Sequence, residues 1–270
     1  MFTDSVFAMG YILFVVTLLG LCMGSFLNCL AWRMTHGESV LHGRSHCTSC
    51  GHELAARDLV PVLSWVVTKG KCRYCGTHVS MRYPVTELLC AVVYASVFVR
   101  YGLSVQTVEL IAFASVLLVL SLTDLDEYLI PNATIVAGIV IRLAYVAYVG
   151  LSGQGDGLVM LRDTLVGGFA VAVPVLVLAL VMDRVLGRES FGGGDVKLLF
   201  VAGMYFGWQQ CLFLIVLACV MGIVFGMLGQ RDEGGEAKLI PFGPSIAAAC
   251  WVTMLVGQQV VDWYGGLFGM

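Results

Sequence analysis

The chain has 270 residues, 59% of them apolar and 12% charged, with a formal net charge of −3 and a mean hydropathy of +0.90. Soluble domains carry about 25% charged residues, so the composition excludes a water-soluble globular enzyme. No basic arm or low-complexity tract points to nucleic acid, and the expected class is a polytopic all-α membrane bundle.

Apolar runs near the roughly 20 residues needed to cross a hydrocarbon core predict helices over 6–32, 84–100, 105–123, 131–149, 163–183, 195–208, 209–229 and 242–264. The run 195–208 is short and opens on a charge, so its boundary with the next is the least defined and the count is seven or eight. The first run follows Asp4 with no Lys or Arg before it. It is about twice as long as a signal-peptide core, so a retained helix is expected. Within it, Gly24-Ser-Phe-Leu-Asn28 has two readings, close helix packing or contact with substrate.

The stretch 34–83 holds six of the 15 Lys and Arg residues and all five histidines. Cys47-Thr-Ser-Cys50 and Cys72-Arg-Tyr-Cys75 form C-x2-C-x21-C-x2-C, close to the spacing with which four thiolates surround tetrahedral zinc. Gly51 and Gly76 follow the pairs and permit the positive φ that turns backbone amides toward sulfur. A redox dithiol pair or unpaired thiols are the alternatives. The insert has few apolar residues, so metal would supply its folding energy. Four thiolates leave no open position for water or for His46, His52 or His78, which makes the expected zinc structural. The remaining cysteines, 22, 29, 90, 211, 219 and 250, lie in apolar runs and read as small buried hydrophobes.

Two carboxylates stand at helix junctions. Asp124 ends an apolar run in Thr-Asp124-Leu-Asp126-Glu-Tyr-Leu-Ile-Pro131, and Asp195 follows Gly192-Gly193-Gly194. Intramembrane carboxylates are costly and imply function by default. Like charges a few Å apart share one proton, so one acts as base and the other as acid. That suits peptide hydrolysis, although the sequence does not say which is which. An interfacial helix cap is the bland alternative. It fits Asp195 at a helix start and not Asp124 at a helix end, where negative charge opposes the dipole. Asp126 and Glu127 remain catalytic alternatives, a solvated turn, or charges tuning Asp124. With the N-terminus outside, 12 of 15 Lys and Arg fall on the cytoplasmic side, Arg100, Arg142 and Arg162 excepted. The positive-inside rule favours that orientation, which sets both aspartates on the cytoplasmic side.

These residues resemble the type IV prepilin peptidase family, leader peptidase/N-methyltransferases of the G-x-G-D class of intramembrane aspartic proteases. The likeness spans nearly the whole chain: Gly24 to Asn28 with Arg33, the four-cysteine insert with Asp58 to Trp65, Arg82-Tyr-Pro84 with Glu87, Asp124 to Asn132, Gly192 to Lys197, and Ile240-Pro-Phe-Gly-Pro244. Met34-Thr35 and Thr48 depart from the usual residues, and 150–162 looks long for the family. The resemblance implies catalysis by Asp124 and Asp195, zinc on Cys47, Cys50, Cys72 and Cys75, and cleavage of type IV prepilins or pseudopilins at the cytoplasmic face of a bacterial inner membrane. In many members N-methylation of the new terminus from S-adenosylmethionine follows. The resemblance alone supplies methylation, since no glycine-rich strand-to-helix turn is present; the insert and Glu87 are the candidates for it.

The expected organisation is a first transmembrane helix (1–33), a cytoplasmic zinc-binding insert (34–83) and a peptidase core (84–270), the dyad lying between the third and sixth predicted helices. Expected partners are prepilins and membrane lipid, with no nucleic acid; a homodimer is left open, as is the pilus, secretion or competence system served. A transporter or scaffold using the aspartates for cations or protons is the rival class. An archaeal preflagellin-type or presenilin-like peptidase is the rival enzyme, against which the cysteine insert argues.

Overall fold

The computed structural model describes residues 2–39, 43–187, 191–228 and 241–267. Among them, seven helices are long and apolar enough to cross a membrane, and the chain divides into two compact units, Met1–Thr107 and Val108–Met270.

The first unit is an antiparallel pair with a polar cap. Helix α1 (Phe2–Thr35) spans about 50 Å at the α-helical rise, well beyond a hydrocarbon core of roughly 30 Å. It packs on α3 (Arg82–Tyr101) at two glycines. A Cβ on Gly20 would stand 2.6 Å from the Ala91 Cα, and one on Gly24 2.7 Å from the Glu87 Cα. Buried Asn28 donates its amide to the Thr86 hydroxyl on the same seam. The Gly24 to Asn28 motif therefore does the work of close helix packing. Between these helices lie a 3-10 turn, Ala56–Asp58, and the short α2 (Leu63–Val67).

The second unit contains most of α4 (Val105–Glu127), then α5 (Asn132–Ser152), α6 (Gly157–Leu186), α7 (Gly193–Leu228) and α8 (Gly243–Leu267). Residues 153–156 are the whole α5–α6 connection, shorter than the 150–162 loop expected. Gly153 at φ 69° ends α5, and the Asp156 side chain accepts from the amides of Leu158 and Val159 to start α6. That N-cap satisfies donors a helix start otherwise leaves unpaired, so the helix begins six residues before the apolar run at 163.

Helix α7 contains the run 195–208 and, as far as Leu228, the run 209–229, with a break at Gly207, whose φ of 69° and ψ of 172° belong to a region essentially restricted to glycine. The chain reverses there. Gly203 meets Gly167 of α6, where a Cβ would lie 2.5 Å from a carbonyl oxygen, and the Gln210 amide donates to Gln258 at the far end of α8. Gly222 then returns to Phe242 at the start of α8. The first arm rises only about 20 Å, which is why its sequence signal is weak. Seven helices by count thus contain eight apolar runs.

Arg142, an exception to the charge asymmetry, is neutralised inside the bundle. Its Nη1 donates to Glu109 Oε1 at 2.9 Å, with side-chain exposures of 13% and 2%, and its guanidinium lies 5.4 Å from the centre of the Tyr205 ring. Arg162, a second exception, pairs with adjacent Asp163 at 2.8 Å.

Candidate active site

Helix α4 continues past the predicted end at 123 to Glu127, placing Asp124 in its last turn. There Asp124 is 5% exposed and its Oδ2 accepts the Gly243 amide at 2.9 Å. That amide is the first of α8, an orphan donor at the positive end of a helix dipole. Pro244 is tolerated beside it because a first-turn residue needs no amide hydrogen. A carboxylate that its own helix disfavours is thus held by the start of another. Gly243 leaves it the necessary room, since a Cβ there would stand 2.6 Å from Asp124 Oδ2.

Asp195 sits in the first turn of α7, half-buried, within electrostatic reach of Asp124. Two of the three glycines before it are sterically constrained. A Cβ on Gly192 would lie 2.9 Å from Asp195 Oδ2, and one on Gly194 would lie 3.0 Å from Ile130 of the α4–α5 turn, whereas Gly193 faces open space. Lys197 Nζ donates to Asn132 Oδ1 at 2.9 Å, tying the α7 start to the α5 start. Glu127 is exposed and Asp126 half-buried, so of the three acids ending α4, Asp124 is the buried one. The one sequence signal for the Gly243 amide as its partner is the motif Ile240-Pro-Phe-Gly-Pro244, of which Ile240 lies outside the described residues.

In the first unit the four sulfurs of Cys47, Cys50, Cys72 and Cys75 lie within 4.8 Å of one another, and Cys47 and Cys75 are 3.9 Å apart. Tetrahedral zinc with bonds near 2.3 Å needs sulfur separations of about 3.8 Å. The local folds are alike. Gly51 donates to the Cys47 carbonyl at 2.8 Å and Gly76 to the Cys72 carbonyl at 2.9 Å, with φ of 70° and 73°. Hydrogen bonding with Thr77, 3.3 Å away, draws the Cys75 thiol down to about 6. Cys50, although the His52 backbone acts to lower it, is pushed up to about 11 by desolvation and its sulfur neighbours. Four crowded thiols cannot all ionise without a cation, and the cluster is one that could hold a metal ion.

Asp58 braces this cluster. Its carboxylate accepts from Arg73 Nε at 2.7 Å and the Tyr74 hydroxyl at 2.8 Å, the two residues inside the second cysteine pair. Burial acts to raise its pKa, and the hydrogen bonds from Arg73, Tyr74 and the Ala55 amide outweigh it, holding the carboxyl below its ordinary value.

Two family patterns match the chain in order: the bacterial peptidase A24 N-terminal domain over residues 18–101 and the type IV leader peptidase family over residues 111–227. A prepilin leader peptidase/N-methyltransferase of Pseudomonas putida is 34% identical, the alignment covering 93% of each chain. The chain belongs to the type IV leader peptidase family. Relatives bearing the same name include one from Stutzerimonas stutzeri, 30% identical over 91% of each chain. Another, from Bacillus subtilis, is 29% identical over 93% of this chain and 96% of its own. No solved structure matches. As a member of this family the chain is a peptidase, and with its seven long apolar helices a multi-pass bacterial membrane protein. The two family patterns meet between residues 101 and 111, at the boundary of the two structural units.

Proposed function

We propose that this leader peptidase cuts the leader from type IV prepilins or pseudopilins at the cytoplasmic face of the inner membrane, with Asp124 and Asp195 as its catalytic dyad. The observation that carries the reading is that two carboxylates, 71 residues apart in sequence, come within electrostatic reach of one another at helix ends. The pair shares one proton. The Gly243 amide bond and the α8 dipole favour charge on Asp124, which makes Asp124 the base and Asp195 the acid. Asp124 takes a proton from water as its oxygen attacks the scissile carbonyl. Asp195 gives its proton toward the carbonyl oxygen, and the leaving nitrogen is protonated as the tetrahedral species collapses.

Orientation follows from charge: Arg33, Arg44, Arg57, Lys69, Lys71, Arg73, Arg82, Arg184 and Lys197 share the dyad's side under the positive-inside rule, and the Arg142–Glu109 pair removes one exception. The remaining positions in that count, Arg188, Arg231 and Lys238, lie outside the described residues. The functional division is 1–33 as first membrane helix, 34–83 as cytoplasmic insert and 84–270 as peptidase core. Zinc on Cys47, Cys50, Cys72 and Cys75 holds the insert together, with no role in hydrolysis because four thiolates close its coordination. The new pilin terminus is then N-methylated from S-adenosylmethionine, a reading supported by the names of the relatives. Lipid surrounds the apolar helices; a homodimer has no support among these observations.

Reconstitution with a prepilin tests the dyad. Asp124→Ala and Asp195→Ala should each abolish cleavage, and retained cleavage in either would refute the assignment. Mass measurement of the mature pilin N-terminus tests methylation.

A further inference from the structure

The second unit contains a cavity of about 380 Å³, lined by α5, the first turns of α6 and the α7 reversal at Gly207. Its size falls in the roughly 300–1,000 Å³ range of small-ligand sites. It is remote from the dyad, since Gly207 lies about 18 Å along α7 from Asp195. The hollow follows from the short first arm of α7, which turns back after about 20 Å while α5 runs about 30 Å. Non-helical backbone at membrane depth is tolerated only where protein buries it or a hydrated cavity takes it.

The protein leaves polar atoms unsatisfied here. Among the described residues three buried side-chain nitrogen and oxygen atoms have no hydrogen-bond partner, and two of them, Arg142 Nε and Thr164 Oγ1, belong to residues lining this cavity. Thr164 is 2% exposed. A buried helical threonine ordinarily returns its hydroxyl to a carbonyl one turn back, as Thr253 does to Ala249 at 2.8 Å, and Thr164 does not. Leaving such atoms unpaired is costly, which favours a ligand bringing acceptor oxygens to them. The mouth has the opposite character: Asp156 and Asp163 stand exposed there, with Arg162 offsetting the second. Donors at depth and carboxylates at the mouth suit a zwitterion with its anionic oxygens inside and its ammonium outside.

Two further observations point to lipid. Trp208, next to the reversal, is 52% exposed, and surface indoles gather at headgroup depth. From the mouth, exposed Val166, Ala170, Val173 and Val177 continue the face of Asp163 down α6 at steps of three and four residues. That stripe runs about 20 Å, more than one leaflet's share of a roughly 30 Å core. We propose that the cavity binds the headgroup of an ethanolamine phospholipid in the leaflet remote from Asp124 and Asp195. The phosphate oxygens accept from Arg142 Nε and the Thr164 hydroxyl, the ammonium lies toward Asp156 and Asp163, and one acyl chain follows the α6 stripe. A ligand bridging α5, α6 and the reversal stabilises the second unit.

The test titrates the full chain, purified in detergent, with lipid in native mass spectrometry. Dioleoyl phosphatidylethanolamine should saturate one site and bind about tenfold more tightly than dioleoyl phosphatidylglycerol, whose headgroup lacks the ammonium. Thr164→Val, which removes the hydroxyl and keeps the shape, should weaken that site about fivefold, the range for one neutral hydrogen bond. It should not lower the thermal midpoint of the lipid-free protein, because the hydroxyl has no protein partner to lose. Val159→Trp, which fills the mouth, should block the site; if it fails to fold, Thr164→Val decides alone. Soluble glycerophosphoethanolamine, which has the headgroup without the chains, should compete only weakly. Competition as potent as the lipid's would make a free solute the ligand and overturn the lipid assignment. Equal binding of the two lipids, or unchanged affinity in the folded variants, overturns the site.

Discussion

Three residues, Asp124, Asp195 and Asp58, hold carboxylates whose surroundings predict their behaviour. Asp124 receives the Gly243 amide at 2.9 Å, so at neutral pH an epoxide, which needs a carboxylate, should label Asp124. A diazo reagent, which esterifies a protonated carboxyl, should label Asp195. The reverse pattern of labelling would exchange their roles. Asp58 gives a prediction outside the membrane. Its folded pKa is depressed below the ordinary value of about 3.9, so it contributes stability above that value and loses it as pH falls through the lowered one. The thermal midpoint of the unaltered protein should exceed that of Asp58→Asn by a constant margin near neutrality, and the margin should close below about pH 4. A margin independent of pH would mean that packing, and not charge, supplies the effect. Thiolate protonation weakens both proteins in acid, and the comparison cancels it. Residues such as Asp124, Asp195 and the four cysteines were legible because their chemistry is costly or patterned. Gly243 was not, because a backbone amide looks the same at every position.

At the scale of elements, glycine decides how the helices of each unit meet. The ψ of 172° at positive φ in Gly207 lies where a Cβ costs about 1–3 kcal/mol. Gly207→Ala should therefore lower the thermal midpoint in detergent, and wild-type stability in that variant would refute the reversal. Gly203 admits no side chain against the Gly167 carbonyl, so Gly203→Leu should separate α6 from α7 and reduce cleavage with them. In the Glu109–Arg142 pair the carboxylate is buried and the guanidinium largely so, at 2% and 13% side-chain exposure. Removing one partner leaves an uncompensated charge costing about 3–5 kcal/mol. Arg142→Met alone should be far more destabilising than Arg142→Met with Glu109→Leu, as a double-mutant comparison of unfolding midpoints would measure. Periodicity located these helices but misjudged their ends. The apolar run stopped at 123 and restarted at 163, whereas the helices reach Glu127 and begin at Gly157, because caps and hydrogen bonds, not hydrophobicity, end a helix.

For the whole molecule, Asp124 and Asp195 belong to the second unit, and the cysteine cluster and the cavity beside it to the first. Metal removal should therefore act unequally. Structural zinc in small domains contributes on the order of 10 kcal/mol to folding, so chelation should unfold the insert while the helices of the second unit keep their helical circular dichroism. Stoichiometric zinc by metal analysis, lost in Cys47→Ser and Cys72→Ser, checks the premise. The sequence by itself determined the membrane class, the zinc-type cysteine pattern, the two aspartates and the family, because each is written in local composition or spacing. Tertiary structure alone decided that α7 folds back at Gly207, that α8 begins on Asp124, that Arg142 is neutralised by Glu109, and that Glu87 faces a cavity. Each of these joins residues distant in the chain, and nothing local to either partner records the other.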